Sequence, residues 1–205
     1  MRVIKERGEK FEVDPDRGLP QVMDLVPDGG DLDQEVRRLE NTYFDTPGAG
    51  LRMFGVTLRR RVGGSETGWQ LKVPKGTART ELQSGSRTKT LPPALAEAVA
   101  GLLAGETLEQ VATLVTTRTV YRLRNANGEL VLEIVDDQVE SGLGESTLQS
   151  WREVEVELGP AGKKKDVKRA GKILLAAGAT PSTRRTKLDR ALGPNFAERT
   201  GSCDQ

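Results

Sequence analysis

Residues 55–73 read GVTLRRRVGGSETGWQLKV, and this stretch decides the fold class. Apolar and polar residues alternate on both sides of a central Gly-Gly turn, which predicts two antiparallel strands joined as a hairpin. Because successive side chains point to opposite faces of a strand, Arg59 and Arg61 share one face. Gln70 and Lys72 share a face of the second strand for the same reason. The hairpin therefore has one apolar face and one polar, positively charged face.

The rest of the chain repeats this pattern of strands joined by turn-forming residues. Asn125-Ala126-Asn127-Gly128 is a strong turn signal between two strands, and the Ala and Leu spacing after Pro92-Pro93 predicts a helix. The further predicted strands are Val3–Val13, Glu35–Asp45, Ala78–Gln83, Leu114–Leu123, Glu129–Val139 and Ser150–Leu158. The predicted helical segments are Leu91–Leu103, a short turn at Glu106–Val111, and Asp166–Ala177. This set predicts an α+β fold, an eight-stranded antiparallel β-barrel or tunnel with a few outer helices.

The composition of the 205 residues fits one domain and excludes several kinds of site. The chain has no histidine, which removes the commonest general base and the commonest transition-metal ligand. A metal cofactor would therefore be a hard cation held by carboxylates. The single cysteine, Cys203, forms no intramolecular disulfide, so a reducing compartment is expected. The polar N-terminus and the lack of a long apolar run predict a cytoplasmic protein without a membrane partner.

Charged residues of one sign gather on the polar faces of separate strands. Arg118 and Arg122 share a face of one strand, and Glu153, Glu155 and Glu157 share a face of another. One interpretation is that each face points into water, as polar faces of antiparallel sheets commonly do. The alternative is that the rows line an interior, because like charges in a row repel unless a positive group lies between them. Arginine and lysine rows suit phosphate oxygens, and a carboxylate row suits a divalent cation.

Three further features are interpreted from their position in the strands. Trp69 and Trp151 are predicted to pack on the outer side of the sheet, opposite the charged faces. Asp136-Asp137 fits a turn or a strand end as well as it fits a ligand.

Six segments in a fixed order resemble the CYTH superfamily, also called the triphosphate tunnel metalloenzymes. The strongest is Asn41-Thr42-Tyr43-Phe44-Asp45-Thr46-Pro47. The others are 55–61 (GVTLRRR), 68–72 (GWQLK), 118–122 (RTVYR), 151–158 (WREVEVEL) and 186–192 (TKLDRAL). The resemblance runs from about Val3 to Leu192 and is similar in detail to the CYTH half of bacterial CYTH–CHAD proteins. It implies a tunnel domain at 1–192 and a flexible tail at 193–205.

The resemblance also implies a site inside an eight-stranded tunnel that binds triphosphate with Mg²⁺ or Mn²⁺. The implied phosphate-binding residues are Lys10, Arg59, Arg61, Lys72, Arg79, Arg118, Arg122 and Lys187, with Arg38 as a further candidate. The implied metal ligands are Glu6, Glu81, Glu133, Glu153 and Glu155. Since there is no histidine, a glutamate must orient or deprotonate the attacking water, and Glu153 and Glu155 are the candidate catalytic residues.

The N-terminal signature of the family, Glu-x-Glu-x-Lys, is interrupted in this chain. Glu6 and Lys10 match it, but Gly8 stands at the middle glutamate. Either the site lacks one carboxylate, or a bulge at Gly8 turns Glu9 inward. This departure bears more on catalytic turnover than on phosphate binding.

The resemblance leaves several functions open. The first is a hydrolase acting on inorganic triphosphate, and the second, which Gly8 favours, is a polyphosphate- or nucleotide-binding module with little turnover. A class IV-type adenylyl cyclase would need an adenine pocket, and chemistry on RNA 5′ ends would need a basic exterior groove; the sequence shows neither. The expected ligand is triphosphate or polyphosphate. A nucleic-acid partner is not expected, and monomer and homodimer both stay open.

Overall fold

The computed structural model describes residues 2–4, 8–20, 22–65, 67–75, 78–143, 146–183 and 186–193. Glu6, Cys203 and the predicted tail beyond Gly193 lie outside these residues. For Arg79 only the backbone is described. The domain limits at 1–192 and 193–205 therefore stay predictions.

The described residues form one antiparallel sheet of ten strands. The strands are β1 Arg2–Ile4, β2 Gly8–Val13, β3 Asp31–Asp45, β4 Thr57–Val62, β5 Gly68–Lys75, β6 Ala78–Ser84, β7 Glu109–Arg124, β8 Leu130–Leu143, β9 Ser146–Leu158 and β10 Thr180–Pro181. Their order across the sheet is β1-β6-β5-β4-β3-β7-β8-β9-β2-β10. The predicted α+β class with an antiparallel sheet is confirmed. The count exceeds eight because the predicted first strand is divided into β1 and β2, and because the short β10 is added.

The N-terminal segment brings the two edges of this sheet together. β1 pairs with β6, whereas β2 pairs with β9 near the opposite edge. Since Ile4 and Gly8 are only four residues apart, their Cα atoms are at most about 15 Å apart. No ladder among the described residues joins the two edges directly, so the sheet is a strongly curved, tunnel-like wall that strand pairing among these residues does not close.

The described helices pack mainly on the outer face of the curved sheet. They are α1 Gly50–Met53, α2 Pro93–Val99, α3 Lys164–Ala176 and α4 Lys187–Leu192, with 3₁₀ turns at Val22–Leu25 and Ala100–Leu102. α3 buries Val167, Ala170 and Leu174 against the apolar outer face of β2, β8 and β9. α1 and α2 cover the outer face of β4 and β5. None of these helices has both the length and the apolar character that crossing a bilayer requires.

Helix α4 differs from the others because it packs against inward-facing side chains. Leu188 and Ala191 contact a buried cluster that includes Tyr43, Leu114 and Trp151. Thr186 caps the helix, its hydroxyl oxygen accepting a hydrogen bond from the Asp189 backbone N–H at 3.0 Å. The cluster closes one end of the interior with apolar contacts.

Two of the predicted segments differ in the structure, one of them because of long-range pairing. The predicted helical turn at Glu106–Val111 is wrong, because β7 begins at Glu109 and pairs with Asp45 at the end of β3. The predicted helix Leu91–Leu103 is shorter, since α2 ends at Val99 and a 3₁₀ turn follows. A local pattern cannot reveal a partner strand more than sixty residues away.

Candidate functional site

The inward faces of the strands surround a cavity of about 330 Å³. Nine of the predicted site residues line it: Lys10, Arg59, Arg61, Lys72, Glu81, Arg118, Glu133, Glu155 and Lys187. The charged strand faces therefore line an interior, and the interpretation that they all face bulk water is wrong. Two walls of this cavity differ in how their charges are balanced.

The first wall, formed by β4 and β5, is called the basic wall here and consists of Arg59, Arg61 and Lys72. Arg59 Nε donates a hydrogen bond to Gln70 Oε1 at 2.7 Å, and Arg59 Nη1 donates to the Tyr43 hydroxyl at 3.2 Å. Among the described residues, no carboxylate lies within ion-pair distance of Arg59. The guanidinium is thus held in place by neutral groups while its charge faces the cavity.

The other two members of the basic wall are also fixed by polar neighbours. Arg61 is buried, and its Nε donates to Asn41 Oδ1 at 2.9 Å. Lys72 Nζ lies 3.6 Å from Glu81 Oε2, and Gln83 donates to the other oxygen of this carboxylate at 2.9 Å. Burial would raise the pKa of Glu81, but Lys72, the Gln83 hydrogen bond and nearby arginines together lower it. Glu81 is therefore ionised at neutral pH.

The second wall, formed by β2, β7, β8, β9 and α4, is called the balanced wall because three cations and three carboxylates pair within it; Glu157 of β9 also lines the cavity beside them. Its cations are Lys10, Arg118 and Lys187, and its carboxylates are Asp137, Glu153 and Glu155. Strand register brings these groups together, since Asp137 lies directly opposite Glu153, and Glu155 directly opposite Lys10.

Lys187 is at the centre of the balanced wall. Its Nζ lies 2.9 Å from Asp137 Oδ2 and 3.2 Å from Glu155 Oε1, and it also contacts Glu153 Oε1. Burial would lower the pKa of Lys187, but Glu155, Asp137 and Glu153 raise it well above its ordinary value. The ammonium is therefore permanently charged.

The remaining cations complete the pairing. Arg118 binds Asp137 through two parallel hydrogen bonds of 2.7 Å each. Lys10 Nζ lies 2.7 Å from Glu153 Oε1 and 3.4 Å from Glu155 Oε1. Burial would raise the pKa of Asp137, but Lys187 and Arg118 hold it below its ordinary value. Asp137 is therefore ionised, and each of the three carboxylates has at least one cation as a partner.

The two candidate catalytic glutamates occupy different environments. Glu155 lines the cavity, and Lys187 is the largest cause that lowers its pKa, against the opposing effect of burial. Glu153 is 1% exposed, receives a hydrogen bond from Trp151 Nε1 at 3.0 Å, and does not line the cavity. Of the two, Glu155 is the one that can contact a bound molecule.

Arg122 lies at the rim of the tunnel, away from the apolar end closed by α4. It lines a second cavity of about 100 Å³, and its guanidinium contacts Glu133 at 3.0 Å and Asp33 and Glu35 at 3.2 Å. Glu35 also accepts hydrogen bonds from Arg37, which are the largest cause lowering the pKa of Glu35 to about 2. The rim is thus a network of partly exposed ion pairs.

Three interpretations are corrected by the faces on which residues lie. Trp151 is inward-facing, because it shares the parity of Glu153 and packs with the buried cluster around α4; the prediction of an outer position is wrong for it. Trp69 does pack in the outer core.

Asp136 and Asp137 lie in the middle of β8, so the interpretation of these residues as a turn or strand end is wrong. Arg38 lines neither cavity.

The structure also decides between the two interpretations of Gly8. The pairing of β2 with β9 is regular from Gly8 to Val13, without a bulge. Glu9 points to the outer face, where its Oε2 lies so close to Gly171 of α3 that a Cβ there would be 2.6 Å away. Glu9 therefore does not replace the missing signature carboxylate.

The described acidic residues do not fit a preformed metal site. No group of three acidic side chains gathers in a metal-binding arrangement within the described ranges. Glu81 is paired with Lys72 and Glu133 with Arg122, while Glu153 and Glu155 belong to the balanced wall. Glu6 lies outside the described residues. The carboxylates act here as partners of protein cations.

Several residues at the site are not among the predicted phosphate-binding, metal-binding or catalytic residues. Asp137 is fully buried and binds two of the predicted phosphate-binding residues. Asn41, Tyr43 and Thr116 also line the cavity. The parity of Asn41 and Tyr43 on β3 is a signal for their shared face, but it does not show that the face is interior.

Comparison with known proteins supports this assignment of fold. The sequence model of the CYTH domain matches residues 10–186. An uncharacterised protein of Mycobacterium tuberculosis strain H37Rv is 33% identical over 177 residues, which is 77% of this chain and 34% of that protein. The chain thus spans about a third of the length of the curated relatives it matches.

Two solved structures share the fold at low sequence identity. A candidate adenylate cyclase from Bacillus halodurans is 17% identical, with a TM-score of 0.57 over 94% of this chain and 100% of that one. A candidate adenylate cyclase from Vibrio parahaemolyticus is 13% identical, with a TM-score of 0.54 over 92% of this chain and 98% of that one. Since the domain match covers most of the chain, this protein belongs to the CYTH domain family.

Proposed function

We propose that the tunnel binds an inorganic triphosphate chain and hydrolyses its terminal anhydride bond. CYTH proteins include triphosphatases and adenylyl cyclases and are generally metal-dependent. The observation that carries the proposal is the basic wall, in which Arg59 faces the cavity without a carboxylate partner among the described residues. Arginine and lysine beside an enclosed space suit the closely spaced charges of a phosphate chain.

The basic wall supplies the electrostatic part of this reaction. Arg59, Arg61 and Lys72 contact phosphate oxygens and stabilise the negative charge that redistributes in the transition state. Tyr43 and Gln70 keep the Arg59 guanidinium in position, so little reorganisation accompanies the reaction. These residues act by binding and orientation.

Glu155 is the proposed partner of the attacking water. It lines the cavity, and because its pKa is lowered by Lys187 it accepts a hydrogen bond from water more readily than it accepts a proton. The water oxygen forms a bond to the terminal phosphorus while the bond to the bridging oxygen breaks. Pyrophosphate leaves; one proton of the water stays on the oxygen now bonded to phosphorus, and the other passes to a phosphate oxygen of the products.

A second candidate is a tunnel that binds a phosphate chain and turns it over slowly. Gly8 favours it, because the regular pairing of β2 leaves the position of the signature glutamate without a carboxylate. Adenylyl cyclase is a weaker candidate. Among the described residues that line the cavity, Tyr43 is the only aromatic one, and its hydroxyl is engaged by Arg59.

Phosphate release from inorganic triphosphate tests the proposal, with Mg²⁺, Mn²⁺ or EDTA in parallel reactions. ATP and long-chain polyphosphate are alternative substrates, and Arg59→Ala and Glu155→Gln are the test variants. Arg60→Ala is a matched control, because Arg60 is the next residue on the same strand and bonds to backbone oxygens of Arg87 and Thr88.

Release that is lost in both test variants and kept in the control supports hydrolysis in the tunnel. Binding of triphosphate that Arg59→Ala weakens, without release from any substrate, supports the second candidate. Neither release nor binding would contradict both.

A further inference from the structure

The balanced wall contains three carboxylates close together, two of which are buried. Asp137 and Glu153 are 0% and 1% exposed, and Glu155 lies beside them on the inward face of β9. Like charges this close cannot stay ionised in a protein interior unless cations neutralise them. The family expectation assigns that task to a divalent cation bound with the phosphate chain.

In this chain protein cations already neutralise the carboxylates. Both oxygens of Asp137 bind Arg118, and one of them also binds Lys187. Oε1 of Glu153 contacts Lys10 and Lys187. Its Oε2 accepts a hydrogen bond from the indole of Trp151, and Oε1 of Glu155 contacts the same two lysines.

Adding a divalent cation to this cluster would bring it beside three protein cations. A hard cation takes six or more oxygen ligands, and one oxygen of Glu153 and one of Glu155 already contact the ammonium groups of Lys10 and Lys187. A cation could take these oxygens only if a lysine left, and Lys187 is anchored in α4 and contacts all three carboxylates.

Gly8 is a second observation against a metal site. It lies opposite Glu157 and two residues before Lys10 on β2. An added Cβ at Gly8 would overlap the backbone oxygen of Val156. The backbone at this position therefore does not accommodate a side chain. The pairing of β2 with β9 therefore leaves no room for the carboxylate that the family signature supplies at this position.

We propose that Lys10 and Lys187 hold the place beside Glu153 and Glu155 that the family expectation gives to a divalent cation, so that this tunnel binds a triphosphate chain without a metal ion. The inference rests on the proposed phosphate binding and makes it more specific. The basic wall binds the anionic chain, and the two lysines keep the carboxylates from repelling it.

The wild-type protein tests this inference in two measurements. Electron paramagnetic resonance with Mn²⁺ alone is expected to show no bound ion at micromolar concentrations of metal. Calorimetric titration with inorganic triphosphate is expected to give dissociation constants in EDTA and in Mg²⁺ that differ by less than about fivefold. Saturable binding of Mn²⁺ alone, or a loss of more than about fivefold in EDTA, would overturn the inference.

The same titrations separate the inference from the proposed function. Binding only in the presence of Mg²⁺ would overturn the inference and leave the proposed function standing. No binding of triphosphate in either buffer would overturn both.

A pair of variants tests the role of the lysines directly. Lys10→Met removes one ammonium group at the exposed side of the cluster, and it is expected to gain Mn²⁺ binding because Glu153 and Glu155 are then only partly neutralised. Lys10→Arg keeps the charge and is expected to bind no Mn²⁺. Circular dichroism checks that both variants are folded. A folded Lys10→Met that binds no Mn²⁺, or equal binding by both variants, contradicts the inference.

Discussion

The basic wall and the balanced wall face each other across one cavity, yet their charges are arranged for different tasks. In the balanced wall every described cation contacts a carboxylate, with Lys187 contacting three of them. In the basic wall Arg59 is held by the neutral groups of Gln70 and Tyr43. A cation whose charge is already compensated gains little from an added anion, whereas one held by neutral dipoles gains more.

The difference separates the residues that stabilise the fold from those that bind the ligand. Breaking a buried ion pair leaves an uncompensated charge, so the balanced wall should matter most for folding. Arg59 is held by hydrogen bonds to neutral groups, so its removal leaves no such charge, and this member of the basic wall should matter most for ligand affinity. Each prediction below tests one side of this comparison.

The largest effect is expected for Asp137→Ala in the balanced wall. The change leaves Arg118 and Lys187 without a shared partner, and breaking buried pairs of this kind costs about 3–5 kcal/mol. Urea denaturation monitored by tryptophan fluorescence measures the loss in the free energy of unfolding. A loss below about 1 kcal/mol would show that the cluster contributes little to folding.

The basic wall should show the opposite behaviour in Arg59→Ala. Hydrogen bonds to charged groups are worth about 1.5–3 kcal/mol, so the affinity for inorganic triphosphate is expected to fall by about 10- to 100-fold. The free energy of unfolding should fall by about 1–3 kcal/mol, less than for Asp137→Ala, because the buried groups of Tyr43 and Gln70 lose a hydrogen-bond partner but no charge is left unpaired. Arg60→Ala is the control and should leave the affinity unchanged. Equal losses of affinity in the two variants would remove the distinction between inward and outward arginines.

The balanced wall should also make stability depend on acidic pH. The pKa values of Asp137 and Glu155 are lowered in the folded protein, so the unfolded chain binds more protons below pH about 4. The stabilisation is present above the unfolded pKa values and is lost as the pH falls toward the folded ones.

Glu155→Gln removes one of these two groups. Its free energy of unfolding between pH 5 and pH 3 should fall less steeply than that of the wild type, by up to about 1.4 kcal/mol per pH unit. Denaturation curves at successive pH values give the slopes. Identical slopes would mean that Glu155 does not carry the dependence.

The smallest effect is expected at the rim, for Arg37→Gln. Arg37 pairs with Glu35, and both side chains are partly exposed, so the free energy of unfolding should change by less than about 1 kcal/mol. Affinity for inorganic triphosphate should change by less than about threefold, since the basic wall is unaltered. Thermal denaturation and calorimetry measure the two quantities. A loss of affinity as large as that of Arg59→Ala would extend the binding site to the rim.

Much of the site could be predicted because strand parity is a local property. The alternation in 55–73 places Arg59, Arg61 and Lys72 on shared faces without any knowledge of the fold. Resemblance to the CYTH superfamily added the interior location of these faces. Parity alone places Trp151 on the face of Glu153, two residues away, so the predicted outer position disagrees with the alternation itself. Only its packing beneath α4 depends on where a helix from the C-terminal part of the chain lies.

The partners of each charge could not be predicted, because they depend on the register between distant strands. Asp137 meets Lys187 across fifty residues, and Lys10 meets Glu153 across more than one hundred and forty. The expected metal ligands were recognised as carboxylates, but whether each faces a metal ion or a lysine is a question of packing. The choice between the two interpretations of Gly8 likewise required the pairing of β2 with β9.

The sequence by itself determined the fold class, the main strands and the sets of charged side chains that share a strand face. These follow from periodicity and composition, which can be recognised from residues close together in the sequence. Only the tertiary structure decided which charges neutralise each other and which are left to face the cavity. The physical reason is that an ion pair needs an approach within a few ångströms, and only the folded register brings groups from opposite ends of the chain that close.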